Sequence, residues 1–272
     1  MKNRILTKTF FLIIFSLPLA FAGCNKDDNS TTPTDSTLEI PGYTLVWNDE
    51  FDGTTVDLTK WSYEVNGDGG GNNELQYYTS LSTNSYIEDG SLVIQANKES
   101  YQGKEYTSAR IRTLNKGDWT YGRFDIRAKL PYGQGLWPAI WMLPSDWEYG
   151  GWPASGEIDI MELLGQAPYK VYGTIHYGTT SNHQYSGGDY SLPSGTFSQN
   201  YHLFTMEWDS TGMKWYVDGV YYHSETHGQP FDQRFHMLLN VAVGGNWPGD
   251  PDNTTKFPQK MYVDYVRVYK KN

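Results

Sequence analysis

Cysteine is almost missing from this chain. One Cys in 272 residues has no partner for a bridge within the chain, which excludes a disulfide scaffold. Basic side chains are also in deficit, 21 Lys and Arg against 31 Asp and Glu. The resulting charge of −10 excludes a partner held mainly by phosphate neutralisation, so no nucleic acid is expected. Several catalytic signatures are absent as well. There is no HExxH and no close His pair to hold a catalytic metal, and no GxSxG for a nucleophilic serine. The glycine-rich stretch 67–71 lacks the Gly-Lys-Ser/Thr needed to cradle a phosphate. What is abundant is aromatic: 16 % Phe, Trp and Tyr together with 28 Gly. That composition is too apolar for a disordered chain and favours strands and tight turns, so one folded, mostly β domain is expected.

The N-terminus reads as an address. Lys2, Arg4 and Lys8 precede an apolar run over 10–19 and the sequence AFAGC, the pattern of an export signal. The run falls short of the roughly 20 apolar residues a membrane span requires. Residues 19–24 resemble the lipobox of bacterial lipoproteins, in which the residue after cleavage is a lipidated Cys. A lipoprotein signal over 1–23 is therefore expected, with Cys24 as a lipid anchor to a bacterial membrane and the protein exported to the cell surface or periplasm. Residues 24–40 have no large apolar side chain before Leu38 and read as a solvated tether. The folded domain is expected over 41–272, as a monomer.

Runs rich in Tyr, Val, Ile, Thr and Trp recur between Gly, Asn, Asp and Pro clusters. They predict strands over 43–47, 92–96, 108–113, 122–130, 136–143, 157–163, 171–177, 203–208, 213–217, 220–223, 237–243 and 262–269, with almost no helix. Asp218 and Gly219 tolerate the positive φ of a type I′ hairpin turn. Side-chain parity separates Trp137, Ala139 and Trp141 from Ile140 and Met142, and Tyr172, Thr174 and His176 from Val171, Gly173 and Ile175. One face is aliphatic and the other aromatic and polar, as in one wall of a sandwich with an open groove. Such a groove suits sugars.

Residues 156–162 read GEIDIME. On a regular strand Glu157 and Asp159 share a face while Glu162 points into the core, where a lone carboxylate is costly. One extra residue at Ile160 or Met161, a β-bulge, returns Glu162 to the side of the other two. Three acids in one groove repel, so at least one pKa is expected to rise, which keeps a protonated acid beside an ionised base. Glycoside hydrolysis with retention needs that pair. A solvated acidic strand or a metal site would not also need Trp137, Trp141 and Trp152 nearby.

GEIDIME, preceded by WPAIWMLP and followed by TIHY, resembles glycoside hydrolase family 16, in particular its laminarinase branch. WNDEF at 47–51, NNELQYYT at 72–79, SARI at 108–111, GRFDIRAKLP at 122–131 and VDYVRVY at 263–269 extend the resemblance over most of 43–269. The resemblance implies an all-β jelly-roll sandwich of two curved antiparallel sheets, concanavalin A-like, with a carbohydrate groove on the concave face. It implies Glu157 as nucleophile, Glu162 as general acid/base, Asp159 as a neighbour that tunes Glu157, and His176 in support. Asn73 and Arg110 are implied to bond sugar hydroxyls, and Trp137, Trp141, Trp152 and Trp247 to stack on pyranose rings. Trp47, Trp61, Trp208 and Trp215 are left to the core or surface. No cofactor is implied for catalysis. A structural calcium is implied on the convex face, held by Glu50, a carbonyl of Gly90 and Asp264, with a salt bridge as the alternative. The extra residue in EIDIME points to endo-β-1,3-glucanase, with mixed-linkage β-1,3-1,4-glucan as the alternative substrate. Transglycosylation and a non-catalytic glycan-binding lipoprotein stay open at this point, while sulfated galactans fit an acidic domain poorly.

Overall fold

The computed structural model describes residues 38–272, and the expected signal, Cys24 and all but the last three residues of the tether lie outside the described residues. The strands are, in chain order, β1 (Tyr43–Asp49), β2 (Ser62–Glu64), β3 (Gln76–Tyr78), β4 (Ser85–Glu88), β5 (Ser91–Tyr101) and β6 (Lys104–Ser108). They continue with β7 (Arg110–Arg112), β8 (Asp118–Trp119), β9 (Gly122–Lys129), β10 (Leu136–Pro144), β11 (Glu157–Leu163) and β12 (Lys170–Thr179). The last six are β13 (Asn182–Ser191), β14 (His202–Asp209), β15 (Gly212–Val217), β16 (Val220–Glu225), β17 (Phe235–Val243) and β18 (Gln259–Lys271).

One sheet runs β16-β15-β14-β9-β18-β5-β6-β3, with β1 on β18 and β4 on β5. The other runs β13-β12-β11-β10-β17-β7-β2, with β8 on β17. Pairing is antiparallel throughout except between β3 and β6, a short parallel contact. The expected turn is present, with Asp218 at φ 49° and Gly219 at φ 77°.

Alternation decides which side chains enter the core. Along β17, Phe235, Met237, Leu239, Val241 and Val243 join the apolar cluster between the sheets. They meet Phe124 and Ile126 of β9, Leu92 and Ile94 of β5, and Val266 and Val268 of β18 in the same cluster. Burial of this aliphatic and aromatic surface drives the sheets together. Trp61 and Trp215 are fully buried and Trp208 nearly so, and Trp47 packs edge-on against Trp61. The opposite face of β10, β11, β12 and β17 is left to form the groove.

Candidate active site

Strand β11 carries the irregularity that the site depends on. Against β10, Asp159 pairs with Trp141 and Glu162 with Ala139, so the three steps from 159 to 162 span only two on the neighbour. The same slip occurs against β12, where Asp159 faces Thr174 and Glu162 faces Tyr172. One residue is therefore extra, and both Ile160 and Met161 sit in the apolar core with Ile158 and Leu163. Glu157, Asp159 and Glu162 all line the groove. The bulge converts a spacing of five, which would bury Glu162 among methyl groups, into three carboxyls on one face.

The groove has a volume of about 860 Å3. Its walls include Trp137, Trp141, Trp147, Trp152, Tyr172 and Trp247, with Arg110 as the one Lys or Arg among the described residues lining it. Two indoles hold the outer glutamates: Trp137 Nε1 donates to Glu162 Oε1 at 2.9 Å, and Trp152 Nε1 donates to Glu157 Oε2 at 2.9 Å. From below, Trp215 Nε1 donates to the Asp159 carbonyl at 2.9 Å. His176 lies across from Glu157 on β12, with its Nε2 3.2 Å from Asp159 Oδ2 and 3.9 Å from Glu157 Oε1. Glu157, Asp159 and His176 each place one atom within 4.8 Å of the others.

Burial sets the charge state. Asp159 is 2 % and Glu162 8 % exposed. Desolvation raises the Glu157 carboxyl, the Asp159 charge raises it further, and His176 opposes the shift. Desolvation also raises Asp159. Glu162 is held well above the ordinary carboxyl range by burial first and by Asp159 second, against the Trp137 hydrogen bond. Two neighbouring carboxyls of this kind cannot both ionise cheaply, and burial disfavours the ionised form of the third.

The other expected residues are placed as follows. Arg110 lines the groove but is committed beneath it. It pairs with Glu64 at 3.4 Å, donates to the Tyr78 hydroxyl at 3.3 Å, and lies over the rings of Tyr78 and Trp141. Asn73 does not line the groove; it occupies a turn at φ 57°, and its amide donates to Asn246 Oδ1 at 2.8 Å, leaving Asn72 on the wall. Sequence reasoning missed the buried support under Trp141. Trp141 Nε1 donates to Asn240 Oδ1 at 2.7 Å, Asn240 Nδ2 to the Tyr78 hydroxyl at 3.1 Å, and that hydroxyl to Glu74 Oε2 at 3.0 Å. The period-two run Glu74, Gln76, Tyr78, all buried, is the signal that points to it.

The carboxylates suggested for calcium are engaged in ion pairs. Both oxygens of Glu50 accept from Arg267, at 3.0 and 2.8 Å, and Asp264 Oδ2 accepts from Arg127 at 2.5 Å. These ion pairs already neutralise the carboxylates, so the salt-bridge alternative describes what is there. Gly90 is a turn residue at φ 72° between β4 and β5.

Comparison with known proteins agrees with this geometry. The model of glycosyl hydrolases family 16 matches residues 72–267. The chain is 41 % identical to a beta-glucanase of Rhodothermus marinus, over 98 % of this chain and 96 % of that protein. It is 45 % identical to glucan endo-1,3-beta-glucosidase A1 of Niallia circulans over 90 % of this chain, which spans only 40 % of the length of that relative. The X-ray structure of the laminarinase from Rhodothermus marinus superposes with a TM-score of 0.80 at 44 % identity, covering 85 % of this chain and 99 % of that one. With its sandwich, its groove and the acid-bearing bulge, the chain belongs to glycosyl hydrolase family 16.

Proposed function

We propose that this protein is an endo-acting glycoside hydrolase that cleaves β-1,3-glucan of the laminarin type with retention. The observation that carries the reading is the bulge that sets Glu157, Asp159 and Glu162 on one face of an aromatic groove. Glu162, kept protonated by burial, donates to the glycosidic oxygen as the bond breaks. Glu157 attacks the anomeric carbon and forms a glycosyl ester, which water then opens with Glu162 acting as base. Asp159 shares one proton with Glu157 and takes that proton up fully, becoming neutral, as the Glu157 carboxylate is consumed in the ester. Indole and phenol rings along the groove supply stacking surfaces for pyranose faces.

Arg110, the one Lys or Arg among the described residues lining the groove, is already paired with Glu64, which favours neutral glucans over sulfated ones. Purified protein given laminarin, curdlan, lichenan, agarose and carrageenan in parallel is expected to release reducing oligosaccharides of several lengths from laminarin. Lichenan cleavage at a higher rate would reassign it as a mixed-linkage glucanase. Binding to laminarin without release of reducing sugar would make it a glycan-binding protein and overturn the reading.

We also infer export and anchoring through a lipid on Cys24, with residues 25–40 as a tether that lets the domain reach a polymer outside the membrane. The support is the sequence pattern at 19–24. Cys24→Ala is expected to move the protein from the membrane to the soluble fraction. Unchanged membrane association would contradict the anchor.

A further inference from the structure

His183 is absorbed by none of the roles above, yet it is the side chain against which the nucleophile end of the groove is stacked. It lies on β13, the edge strand of the groove sheet. Its ring stands 4.7 Å from that of Trp152 and is stacked on His176 at 5.1 Å with an interplanar angle of 20°. Trp152 and His176 are the groups that reach Glu157 and Asp159, and His183 is wedged against both. Its Nε2 is 2.9 Å from His176 Nδ1. On the far side of that imidazole, Nε2 lies 3.2 Å from Asp159 Oδ2, a buried oxygen with no other hydrogen-bond partner.

A neutral imidazole carries one N–H, so what sits on one nitrogen decides what the other presents. A donor at His176 Nδ1 forces its proton to Nε2, facing the Asp159 carboxylate. An acceptor at Nδ1 would turn a lone pair of Nε2 toward Asp159, an arrangement that suits only a protonated carboxyl there. We propose that His183 is a positioning residue that donates Nε2–H to His176 Nδ1, fixing His176 as an Nε2–H donor toward Asp159 and so setting how the Glu157–Asp159 pair holds its proton. Partial desolvation of the ring face packed on its neighbours, and next the charge of His176, lower the pKa of His183, which favours the neutral ring this needs. The other titratable groups around the pair of imidazoles are Glu157, Asp159 and Glu162 on β11 and Tyr185 on β13, whose ring lies 6.0 Å from that of His176.

The inference rests on the hydrolase reading for its kinetic consequence but not for its tautomer. His183 is exposed, so substitution leaves the core intact. His183→Phe keeps a stacking ring and removes the donor, while His183→Gln places an amide N–H near the same position. Nitrogen-15 shifts of the His176 ring in wild type are expected to show the Nε2–H tautomer at about pH 7, with that signature lost in the Phe variant and restored in the Gln variant. On laminarin the Phe variant is expected to lose about tenfold in kcat with KM within about twofold, and the acid limb of its pH profile should move up, because Asp159 has lost a donor that favours its ionised form. An Nδ1–H or doubly protonated His176 in wild type would overturn the proposal. So would a Phe variant with unchanged shifts and pH profile, or a Gln variant as impaired as Phe. Wild type inactive on laminarin would instead overturn the hydrolase reading, with the ring shifts still deciding the tautomer.

Discussion

A carboxyl pressed against a second one in a dry groove keeps its proton to higher pH than one in water, and this single fact gives Glu162 its chemistry and its cost. Its folded pKa is raised, so its contribution to stability is fully present below the unfolded value of about 4.3 and is lost as pH rises through the folded value. Glu162→Gln keeps an acceptor for Trp137 and cannot ionise. Thermal scans from about pH 5 to about pH 8 should therefore show the variant gaining in Tm relative to wild type as pH increases, while its turnover falls about a thousandfold through loss of the general acid. A Tm difference independent of pH would contradict the buried, protonated Glu162. The proposed mechanism needs Glu157 ionised and Glu162 protonated. Because both are raised, each limb of the kcat/KM profile is expected above the value of an ordinary carboxyl, and an acid limb near about pH 4 would count against the shared proton.

At the scale of the strand, β11 is held by what lies beneath it. Gly173 on β12 has no side chain because a Cβ there would stand 2.6 Å from Trp215 Cδ1 and 2.6 Å from the Tyr222 hydroxyl. Trp215 needs that approach to reach the Asp159 carbonyl. Gly173→Ala is thus expected to cost about 1–3 kcal/mol by overpacking, read as a lower urea midpoint, and to reduce activity by shifting β11. An unchanged midpoint would show that the contact is slack. The bulge itself was legible in the sequence because three acids in six residues make sense on a strand only if one step is extra. The groove face of β10 was legible because Trp137, Trp141 and Ile140 obey period two with no slip against β17. Strand β13 was not legible. Its residues 182–191 are polar and glycine-rich, without the β-branched signal of a buried strand, since an edge strand facing solvent has little to bury. His183 and Tyr185 were hidden with it. Asn240 was hidden for the opposite reason, as a polar residue within a strand otherwise read as apolar core.

Across the whole molecule, charge and substrate are expected to be indifferent to each other. The chain carries −10, and a neutral glucan gives that field nothing to act on. KM for laminarin should change by less than about twofold between about 0.05 and 0.5 M NaCl, where screening would strongly alter binding of a charged polymer. A steep salt dependence would point to an anionic substrate. With Glu50 and Asp264 already paired to Arg267 and Arg127, addition of EDTA is expected to leave Tm within about 1 °C, since an ion bound only by the native state would raise it. A fall of several degrees would restore the calcium site. The most direct trial of the account is to trap the intermediate with a 2-deoxy-2-fluoro-β-laminaribiosyl fluoride and map the labelled peptide by mass spectrometry. The account predicts one sugar adduct, attached to Glu157. An adduct on another residue, or hydrolysis that inverts the anomeric centre with no adduct at all, would contradict it.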